Sequence, residues 1–259
     1  MKQVYASIIS NTEIMPGVNL MWFEAPDIAA TAQPGQFVTV SCGDLVLRRP
    51  FSIHQVNLNL VALLFKVVGK GTLWLSQRRE GDKMDILGSL GKGFSIEPGS
   101  RNLLLVAGGI GIAPFAFLLQ HVSHQHGVRL IYGASTASGL YSFSLLPSEV
   151  QFVPVTEDGS IGRKGLASDI LPEFLDWADQ VYACGPVGMY KAMSKQMSSR
   201  AQRSNLKLKK CQVSLELRMG CGIGACYGCS INTEKGLRKV CRDGPVFELD
   251  DILWEEVKI

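Results

Sequence analysis

The sequence predicts a multi-domain fold that combines β with α/β structure: an N-terminal antiparallel β-barrel, a doubly wound parallel sheet and a small C-terminal module. The chain has 259 residues, more than the roughly 100 to 200 residues of a typical single domain. Its hydrophobic rhythm changes near residue 100, and four of its seven cysteines stand close together near the C-terminus. We therefore expect domains at residues 1–97, 98–208 and 209–259.

The first domain is predicted from short apolar runs at residues 36–40, 60–68 and 83–87. These runs are rich in β-branched and aromatic residues, and glycine or proline lies between them. Short strands that are joined by such turns are typical of an antiparallel β-barrel.

The second domain is predicted from apolar runs that alternate with helix-length segments. This pattern is typical of a parallel sheet whose two faces are covered by helices. One further strand is expected just before the cysteine-rich segment. The expected strands cover residues 103–107, 128–132, 152–155, 181–183 and 211–217.

Composition and charge exclude several classes of protein. The formal net charge is +3 and the basic residues form no dominant stripe, so nothing indicates a nucleic-acid partner. No apolar run approaches the roughly 20 residues that a membrane helix needs, because glycines and a proline interrupt residues 103–119. The first residues run directly into a strand-like segment and do not resemble a secretory signal. We expect a cytoplasmic protein that binds neither nucleic acid nor membrane.

Cys221, Cys226, Cys229 and Cys241 follow the order Cys-x4-Cys-x2-Cys with a lone fourth cysteine. This spacing is the ligand pattern of a plant-type [2Fe–2S] cluster, in which thiolates hold two irons. Glycines lie among the first three cysteines, and such small residues let backbone N–H groups approach the cluster sulfurs. These four predicted metal ligands make electron transfer the first hypothesis.

Two other uses of the four cysteines stay open at this point. A structural zinc site usually takes two Cys-x2-Cys pairs, whereas here four residues separate the first pair and the last cysteine is alone. Disulfides need an oxidising compartment, and the N-terminus gives no sign of export. The spacing favours the cluster over both zinc and disulfides.

Arg49-Pro50-Phe51-Ser52 is predicted as a turn that follows one strand and precedes another at residues 53–56. The guanidinium of Arg49 suits a flavin phosphate, Ser52 can hydrogen-bond the isoalloxazine edge, and Phe51 can pack nearby. An exposed turn with a capping serine is the alternative.

Gly69-Lys70-Gly71-Thr72 is a second glycine-containing turn, and it opens a helical run at residues 73–76. Backbone N–H groups at such a turn form a site for an anion such as a pyrophosphate. A plain helix cap by Thr72 is the alternative.

These two motifs, the segment Leu-Gly-Ser-Leu-Gly-Lys-Gly-Phe at 87–94 and the cluster cysteines resemble, in this order, the ferredoxin–NADP reductase superfamily. Within it, the chain most resembles the electron-transfer subunits of bacterial class 1B dihydroorotate dehydrogenases, over essentially its whole length. The resemblance implies that the first domain binds FAD, although the superfamily more often has tyrosine in place of Phe51. The FAD-binding residues that it implies are Arg49, Pro50, Phe51, Ser52, Phe65, Lys66, Val67, Gly71 and Thr72.

A third glycine-rich turn, Gly-Gly-Ile-Gly-Ile-Ala-Pro at 108–114, follows a predicted strand and begins a helix. Its glycines allow a sharp turn and close approach of a pyrophosphate, and Pro114 stands where a missing N–H costs little. It resembles the Gly-Gly-x-Gly-x-x-Pro turn of the superfamily rather than the Rossmann fingerprint.

Two further strand ends should meet the same cleft, since ligands gather at the carboxyl ends of parallel strands. The expected NAD(H) contacts are Gly108, Gly109, Gly111, Pro114, Glu157, Asp158, Cys184, Gly185 and Pro186.

Several residues near these motifs have simpler interpretations. A buried structural thiol is the alternative role of Cys184. Residues 133–138 contain no arginine or lysine for a 2′-phosphate, which favours NADH over NADPH. His121, His124 and His126 are expected to be polar surface residues and not a metal site.

The predicted cofactors form one electron-transfer chain. Hydride carries two electrons and a [2Fe–2S] cluster accepts one at a time, while a flavin exchanges electrons either way. No residue set predicts a site that activates a substrate, and the chain is too short to add the barrel of about 250 residues that could host one. We therefore expect no catalytic residues of that kind here and a substrate site in a partner protein.

The resemblance implies that this partner is an FMN-containing dihydroorotate dehydrogenase catalytic subunit, in a heterotetramer of two copies of each chain. Electrons from dihydroorotate would pass through the cluster and FAD to NAD⁺, in pyrimidine biosynthesis. Two other hypotheses remain: a flavin and iron–sulfur reductase subunit that serves a hydrogenase or a ferredoxin, and a redox-sensing binding protein.

Overall fold

The computed structural model describes residues 1–204 and 209–257, with only the backbone for residues 201–204. The boundary that we predict after residue 208 lies outside the described residues, and the domain limits stay predictions. No helix in the described ranges is long and apolar enough to cross a membrane.

The N-terminal part forms a closed antiparallel barrel of six strands in the order β1-β2-β5-β4-β3-β6, which confirms the predicted barrel. In the last strand buried and less buried residues alternate, so that every second side chain points inward. The third and fifth strands are buried along almost their whole length. The elements are β1 (Lys2–Met15), β2 (Val18–Glu24), α1 (Pro26–Ala29), β3 (Phe37–Val40), β4 (Arg49–Asn57), β5 (Leu60–Lys66), α2 (Lys70–Ser76) and β6 (Lys83–Leu90).

The Arg-Pro-Phe-Ser motif is the first half of β4, and our prediction of a turn between two strands was wrong. Residues 49–52 pair with β3, whereas β5 joins β4 only from Ile53 onward. Pro50 has no N–H to donate, and it is tolerated because the second edge of β4 is unpaired along the motif. The motif therefore presents an open strand edge.

The rest of the chain forms a second sheet with the order β10-β9-β8-β7-β11-β12-β15, which confirms the predicted parallel α/β fold. Its first six strands run parallel, and β15 is added antiparallel to β12. The strands of this sheet are β7 (Asn102–Gly108), β8 (Gly127–Ala134), β9 (Gln151–Thr156), β10 (Arg163–Lys164), β11 (Gln180–Cys184), β12 (Cys211–Ser214) and β15 (Val246–Glu248). A separate pair of strands is formed by β13 (Ser230–Thr233) and β14 (Gly236–Lys239), and the helices are α3 (Phe115–Val122), α4 (Ala167–Ile170), α5 (Val187–Ser204) and α6 (Val240–Asp243).

Both faces of this sheet are covered, as its continuous apolar strands predict. Along β7, Leu103 and Leu105 pack into the core that contains α3. Leu104 and Val106 face the opposite core, which contains α4 and α5. The carboxyl ends of the parallel strands are left open between these layers.

The connection from the barrel to the parallel sheet is anchored by two buried glutamines. Gln212 of β12 accepts the Ser95 N–H at 2.9 Å, and Gln180 of β11 donates to the Ser95 carbonyl at 2.9 Å. Gln180 also accepts the N–H of Glu97 at 2.9 Å. Since buried amides are costly when they lack partners, these bonds fix the connecting segment on the sheet.

The C-terminal segment has little regular structure of its own. It contains a two-stranded hairpin, β13 and β14, which the sequence pattern did not predict. It is tied back to the parallel sheet through β15.

Candidate cofactor sites

The four cysteines of the C-terminal segment lie in one region as two pairs. In the first pair, the Cys221 Sγ accepts the N–H groups of Ala225 and Cys226 at 3.2 and 3.4 Å. In the second pair, the Cys229 Sγ accepts the N–H of Cys241 at 3.4 Å. Two cysteines per iron is the arrangement that a [2Fe–2S] cluster with four cysteine ligands requires.

The β13–β14 hairpin explains how the distant fourth cysteine returns to the third. Ser230 pairs with Lys239, so the residues just outside the hairpin, Cys229 and Val240, are neighbours. The N–H of Val240 donates to the Cys229 carbonyl at 3.0 Å. Cys241 then follows at the start of α6, and both cysteines of this pair are buried.

The cysteine environments fit metal ligands. Burial raises the pKa of Cys221, but hydrogen bonds from the backbone N–H groups of Ile223, Cys226 and Ala225 outweigh it and lower the pKa to about 6. Burial and the neighbouring Cys229 raise the pKa of Cys241 to about 12. A bound cation stabilises thiolates, so iron would offset the burial of the second pair.

No set of three or more Cys, His, Asp or Glu side chains within residues 1–204 and 209–257 forms a single-ion site. The choice of a cluster with two irons over zinc rests on the cysteine spacing and on the arrangement of the four cysteines as two pairs.

The loop that carries the first two cysteines packs against the barrel. Gly222 has φ +72°, and a Cβ there would lie 3.0 Å from Thr39 Cγ2 on β3. Thr39 is opposite Pro50 in the β3–β4 pairing. The cysteine loop therefore contacts the strand next to the Arg-Pro-Phe-Ser motif.

Thr39 adds a second observation at this contact. Its Oγ1 is buried and has no hydrogen-bond partner among the described residues. Since buried hydroxyls are normally paired, an unpaired one fits a place where a bound group completes the structure.

The flavin motif of β4 lies against the glycine turn of α2. A Cβ on Gly71 would come within 3.0 Å of Arg49 Cγ and 3.1 Å of Arg49 Nε, so the glycine lets the guanidinium lie across the start of the helix. Phe51 meets Phe65 of β5 edge to face, with ring centroids 5.7 Å apart. Residues from all three predicted FAD-binding segments thus come together beside the open edge of β4.

Thr72 stabilises the glycine turn itself. Its Oγ1 accepts the N–H groups of Val68 and Gly69 at 2.9 and 3.1 Å, as a helix cap by this residue requires. The hydroxyl is therefore engaged within the turn, and the charge for a phosphate would come from Arg49.

A cleft of about 650 Å³ opens at the carboxyl ends of the parallel strands. This is where ligands bind in open α/β sheets. Seven of the nine residues that we expected to contact NAD(H) line it: Gly108, Gly109, Gly111, Glu157, Cys184, Gly185 and Pro186.

The glycines of this cleft let two turns approach closely. A Cβ on Gly111 would lie 2.1 Å from the Cys184 carbonyl oxygen, and one on Gly108 would lie 2.9 Å from Pro186 Cδ. Gly109 has φ +54° and open space where a side chain would stand. The Gly-Gly-Ile-Gly turn and the Cys-Gly-Pro turn therefore form one backbone-lined wall of the cleft.

Tyr190 fixes the Cys-Gly-Pro turn to the sheet. Its buried hydroxyl accepts the N–H of Gly185 at 2.8 Å and donates to the Ser214 carbonyl at 2.7 Å. Burial, followed by the charge of Glu216, raises the pKa of Cys184 to about 12, so this cysteine is a neutral thiol. It can pack against a nicotinamide but is not a nucleophile.

Pro114 and Asp158 are not part of the cleft lining. Pro114 is buried at the N-terminus of α3. The Asp158 carboxylate accepts the N–H and hydroxyl of Ser160 at 2.9 and 2.7 Å, and these bonds lower its pKa. Both residues shape neighbouring turns, and their contact with a cofactor stays a prediction.

Sequence reasoning missed Glu216, whose side chain is exposed to the cleft. We predicted a strand to residue 217, but β12 ends at Ser214, so Glu216 lies just beyond a carboxyl strand end. Partial burial raises its pKa. Other lining residues that we did not predict include Ser135, Leu166, Ala167, Ser168, Asp169, Gly188 and Met189.

Ser135 could have been found from the same strand-end rule that identified Glu157. Its hydroxyl donates to the Glu157 carboxylate at 2.8 Å, which joins the ends of β8 and β9. A carboxylate there would repel a 2′-phosphate, in agreement with the expected preference for NADH.

His54 connects the flavin strand to the nicotinamide turn. It is fully buried, its Nδ1 lies 2.7 Å from the Ala113 carbonyl oxygen, and its Nε2 lies 3.2 Å from the Tyr141 hydroxyl. These partners assign the proton to Nδ1, which donates to the carbonyl, while Nε2 accepts from the tyrosine. Burial lowers the pKa of His54 to about 4, against the opposing effect of the Ala113 bond.

This shift predicts that stability falls as the pH is lowered. Above the ordinary pKa of 6.5, His54 is neutral in both states; between 6.5 and about 4, only the unfolded chain takes up the proton. Unfolding should therefore become easier by roughly 3 kcal/mol across this window. Urea unfolding of the wild-type protein and of His54→Asn at pH 7.5 and 4.5 measures this loss of stability. The free energies of unfolding of the two proteins should differ less at the lower pH. An equal difference at both pH values would contradict the assignment of His54 as a buried neutral imidazole.

Two family models match the chain. The model described as the iron–sulfur cluster binding domain of dihydroorotate dehydrogenase B matches residues 216–253. The model described as the oxidoreductase NAD-binding domain matches residues 105–195. The first match contains all four cysteines, and the second contains the Gly-Gly-Ile-Gly and Cys-Gly-Pro turns.

Full-length relatives agree with these matches. The chain is 39% identical to the electron transfer subunit of dihydroorotate dehydrogenase B (NAD⁺) from Desulforamulus reducens, with 96% of this chain and 98% of the relative covered. It is 38% identical to the protein of the same description from Caldanaerobacter subterraneus, with 96% and 98% covered.

Solved structures give the same fold. The NADH-dependent reduced ferredoxin–NADP oxidoreductase, from a study of flavin-based electron bifurcation, superposes with a TM-score of 0.84 at 27% identity and covers 98% of this chain and 91% of that chain. A ferredoxin–NADP⁺ reductase from Neisseria gonorrhoeae with bound FAD and NADP has a TM-score of 0.65 at 18% identity, over 77% of this chain and 92% of that chain, and at this identity it shows the fold alone.

Proposed function

Because the chain belongs to the family of dihydroorotate dehydrogenase B electron transfer subunits, we propose that it carries electrons from a catalytic partner subunit to NAD⁺. The chain is an oxidoreductase subunit with an NAD-binding domain and an iron–sulfur binding region. Dihydroorotate is the substrate that the family description indicates, and its oxidation serves pyrimidine biosynthesis.

The contact of the cysteine loop with the barrel is the observation that carries this proposal. Gly222 packs on Thr39, and Thr39 pairs with Pro50 of the flavin motif. Four residues after Pro50 on the same strand, β4, His54 bonds to the nicotinamide turn through Ala113. The three candidate cofactor sites are therefore neighbours, as electron transfer requires.

The first-domain residues fit FAD, because Gly71 leaves room for Arg49 beside the open edge of β4. Arg49 would pair with a phosphate, Ser52 would hydrogen-bond the ring edge, and Phe65, Lys66 and Val67 would line the cofactor. When bound, FAD exchanges electrons in pairs with a nicotinamide and singly with an iron–sulfur cluster.

In the cleft, the protein supplies binding and orientation. The backbone of residues 108–111 would receive the pyrophosphate, and the Cys-Gly-Pro turn would orient the nicotinamide. The four cysteines would hold the [2Fe–2S] cluster in the pairs described above. The Lys239 ammonium donates to the Gly224 carbonyl at 2.9 Å and lies 4.0 Å from the Tyr227 ring, so its positive charge lies on the loop that carries Cys221 and Cys226.

We propose further that the partner contains FMN and that two copies of each chain form a heterotetramer, as the family resemblance implies. The cysteine loop is the natural docking surface, because the side chains of Ile223, Tyr227 and Leu237 are exposed around it. A cytoplasmic location is part of this proposal, since all seven cysteines are free and cluster thiolates suit a reducing compartment.

The division of labour is tested by comparing the chain alone with the chain co-expressed with its partner. Alone, the reconstituted protein should reduce dyes with NADH and should not oxidise dihydroorotate. With the partner, orotate should form and NAD⁺ should be reduced in equal amounts. Orotate formation by the chain alone would refute the proposal.

A prediction for Glu216 follows from its position in the cleft. The nicotinamide ring is positively charged in NAD⁺ and neutral in NADH, so a nearby carboxylate favours the oxidised form. Glu216→Gln should weaken NAD⁺ binding by about three- to tenfold and change NADH binding less. Calorimetric titration with each nucleotide measures this, and Glu255→Gln is the control because that carboxylate is exposed and outside the cleft. Equal losses for both nucleotides would contradict the assigned position.

A second candidate function keeps the cofactors and changes the partner. The similarity to a reduced ferredoxin–NADP oxidoreductase, with a TM-score of 0.84, favours a ferredoxin-linked reductase over a hydrogenase subunit or a redox sensor. Affinity purification of the tagged chain from its own cells separates this function from the first. A co-purifying FMN protein supports the first function, and a co-purifying ferredoxin or ferredoxin-dependent enzyme supports the second.

A further inference from the structure

We infer that His54 is a positioning residue that sets the distance between the flavin strand and the nicotinamide turn, so that hydride transfer depends on its side chain. This inference rests on the proposed function. It concerns a residue outside all the motifs from which the cofactor sites were built.

The first step is the way β4 presents this side chain. In the pairing of β4 with β5, Ile53 is opposite Leu63 and Gln55 is opposite Ala62, so His54 is an extra residue at a β-bulge. A bulge re-aims the side chain that it contains, and bulges occur often beside active sites. Here the bulge comes two residues after Ser52, at the end of the flavin motif.

The second step is the partner that the side chain reaches. Ala113 ends the short helix Gly109–Ile112 and directly precedes Pro114, so its carbonyl belongs to the strand-to-helix turn whose glycines line the nucleotide cleft. The 2.7 Å bond from His54 Nδ1 is therefore a direct link between the two cofactor-binding segments. It is short and fully buried, and water does not compete for it.

The third step is the support behind the ring. His54 meets Tyr141 edge to face at 5.5 Å, and the Tyr141 hydroxyl donates to Nε2 at 3.2 Å. The N–H of Tyr141 donates to the Tyr132 hydroxyl at 3.2 Å, and Tyr132 belongs to β8 of the parallel sheet. The imidazole is thus held from both sides and cannot turn without breaking buried hydrogen bonds.

The expected consequence is a loss of rate and not of affinity. Neither bond of His54 involves a residue predicted to touch FAD, and the residues that would bind the pyrophosphate remain intact without it. Small errors in the distance between reacting groups lower the rate strongly, whereas binding is spread over many contacts. A variant without the link should therefore bind both cofactors and transfer hydride slowly.

The test is stopped-flow reduction of the flavin by NADH in the reconstituted full chain. In His54→Leu, the limiting rate at saturating NADH should fall at least about tenfold, while the NADH dissociation constant and the FAD content change by less than about twofold. His54→Asn keeps an N–H close to the position of Nδ1 and should recover most of the rate. The absorbance of the charge-transfer complex between flavin and nicotinamide should follow the same order.

Tyr141→Phe removes one hydrogen bond without removing the ring, and it decides the question if His54→Leu does not fold. It should lower the limiting rate in the same direction by a smaller factor. His121→Asn is the matched control, because His121 also bonds a backbone carbonyl, that of Phe117 at 2.9 Å, but lies outside both motifs.

The outcomes are separable. If the wild-type flavin is not reduced by NADH, the proposed function fails. If it is reduced, and His54→Leu and Tyr141→Phe keep the wild-type limiting rate, the inference about His54 is wrong. A loss in His54→Leu that His54→Asn does not recover would also overturn it, since the loss would then come from disturbed packing.

Discussion

Replacing Cys229 with alanine is expected to remove the iron–sulfur cluster and to leave the flavin chemistry in place. Cys229 is buried and is one half of the second cysteine pair, where the Cys241 N–H donates to its sulfur at 3.4 Å. Alanine removes one of the two cysteine ligands of one iron and leaves Cys241, whose pKa burial raises to about 12, without its neighbour. A three-cysteine site in this buried geometry should not retain two irons.

Two activities should separate in this variant. Dye reduction by NADH uses the nicotinamide and flavin sites and should stay within about threefold of the wild type. Dihydroorotate-dependent reduction of NAD⁺ by the complex with the partner should fall by at least about a hundredfold, since the electrons from the partner would have to pass through the missing cluster. The cluster itself is measured by visible absorbance, by bound sulfide and by EPR after reduction.

Cys211→Ala is the matched control for Cys229→Ala. Cys211 is also a buried cysteine, in β12, and burial raises its pKa well above the ordinary value, so it is a packed neutral thiol. This variant should keep the full cluster content and both activities. Loss of the cluster from Cys211→Ala, or its retention in Cys229→Ala, would show that the four-cysteine assignment is wrong.

The sequence was most informative where chemistry depends on spacing. The Cys-x4-Cys-x2-Cys pattern identified the cysteines that the structure brings into one region, because the spacing on a short loop is a local property; their role as ligands stays a prediction. The glycine turn at 108–111 was predicted for the same reason: a strand must end, turn sharply and enter a helix within a few residues. Both are visible without knowledge of any distant contact.

Predictions failed where a distant part of the chain decides the local structure. Pro50 suggested a turn, but β4 continues through it because the second edge of the strand is unpaired there. The end of β12 was placed three residues too late, since Leu215 is buried like a strand residue although its N–H bonds to Pro245 in the C-terminal segment. That error concealed Glu216 at the strand end.

Other features had no sequence signal of their own. The β13–β14 hairpin has strands of four residues, and β15 has three, which is too short for a periodic pattern. Yet the hairpin returns Cys241 to Cys229, and β15 ties the segment to the parallel sheet. The proposed role of His54 likewise depends on its contact with Ala113, which is 59 residues away along the chain and cannot be inferred from the local sequence.

Replacing Gly111 with alanine is expected to disturb the nicotinamide site more than the same replacement at any other glycine that lines the cleft. The added Cβ would lie 2.1 Å from the Cys184 carbonyl oxygen, 2.5 Å from its carbon and 2.9 Å from the Gly185 nitrogen. All three are backbone atoms, so no side chain can rotate away and one of the two turns must move. Overpacking of this kind costs about 1–3 kcal/mol and sometimes more.

The functional loss should exceed the loss of stability. Movement of the Cys-Gly-Pro turn breaks the Gly185 bond to Tyr190, and with it the link to Ser214 that holds the turn on β12. NADH affinity and the rate of flavin reduction should both fall, the rate by about a hundredfold, because the wall that positions the nicotinamide is displaced. This differs from the His54 variants, in which affinity should be preserved.

Gly188→Ala provides the comparison for stability, since a Cβ on this helical glycine meets nothing within 4 Å. It should leave the free energy of unfolding unchanged or raise it by up to about 1 kcal/mol, through the higher helix propensity of alanine. Urea unfolding of both variants and NADH titration of Gly111→Ala against the wild type test the argument. If Gly111→Ala were as stable as Gly188→Ala and bound NADH normally, the two turns would not pack as closely as the 2.1 Å distance implies. The conclusion that the two turns form one wall of the cleft would then be wrong.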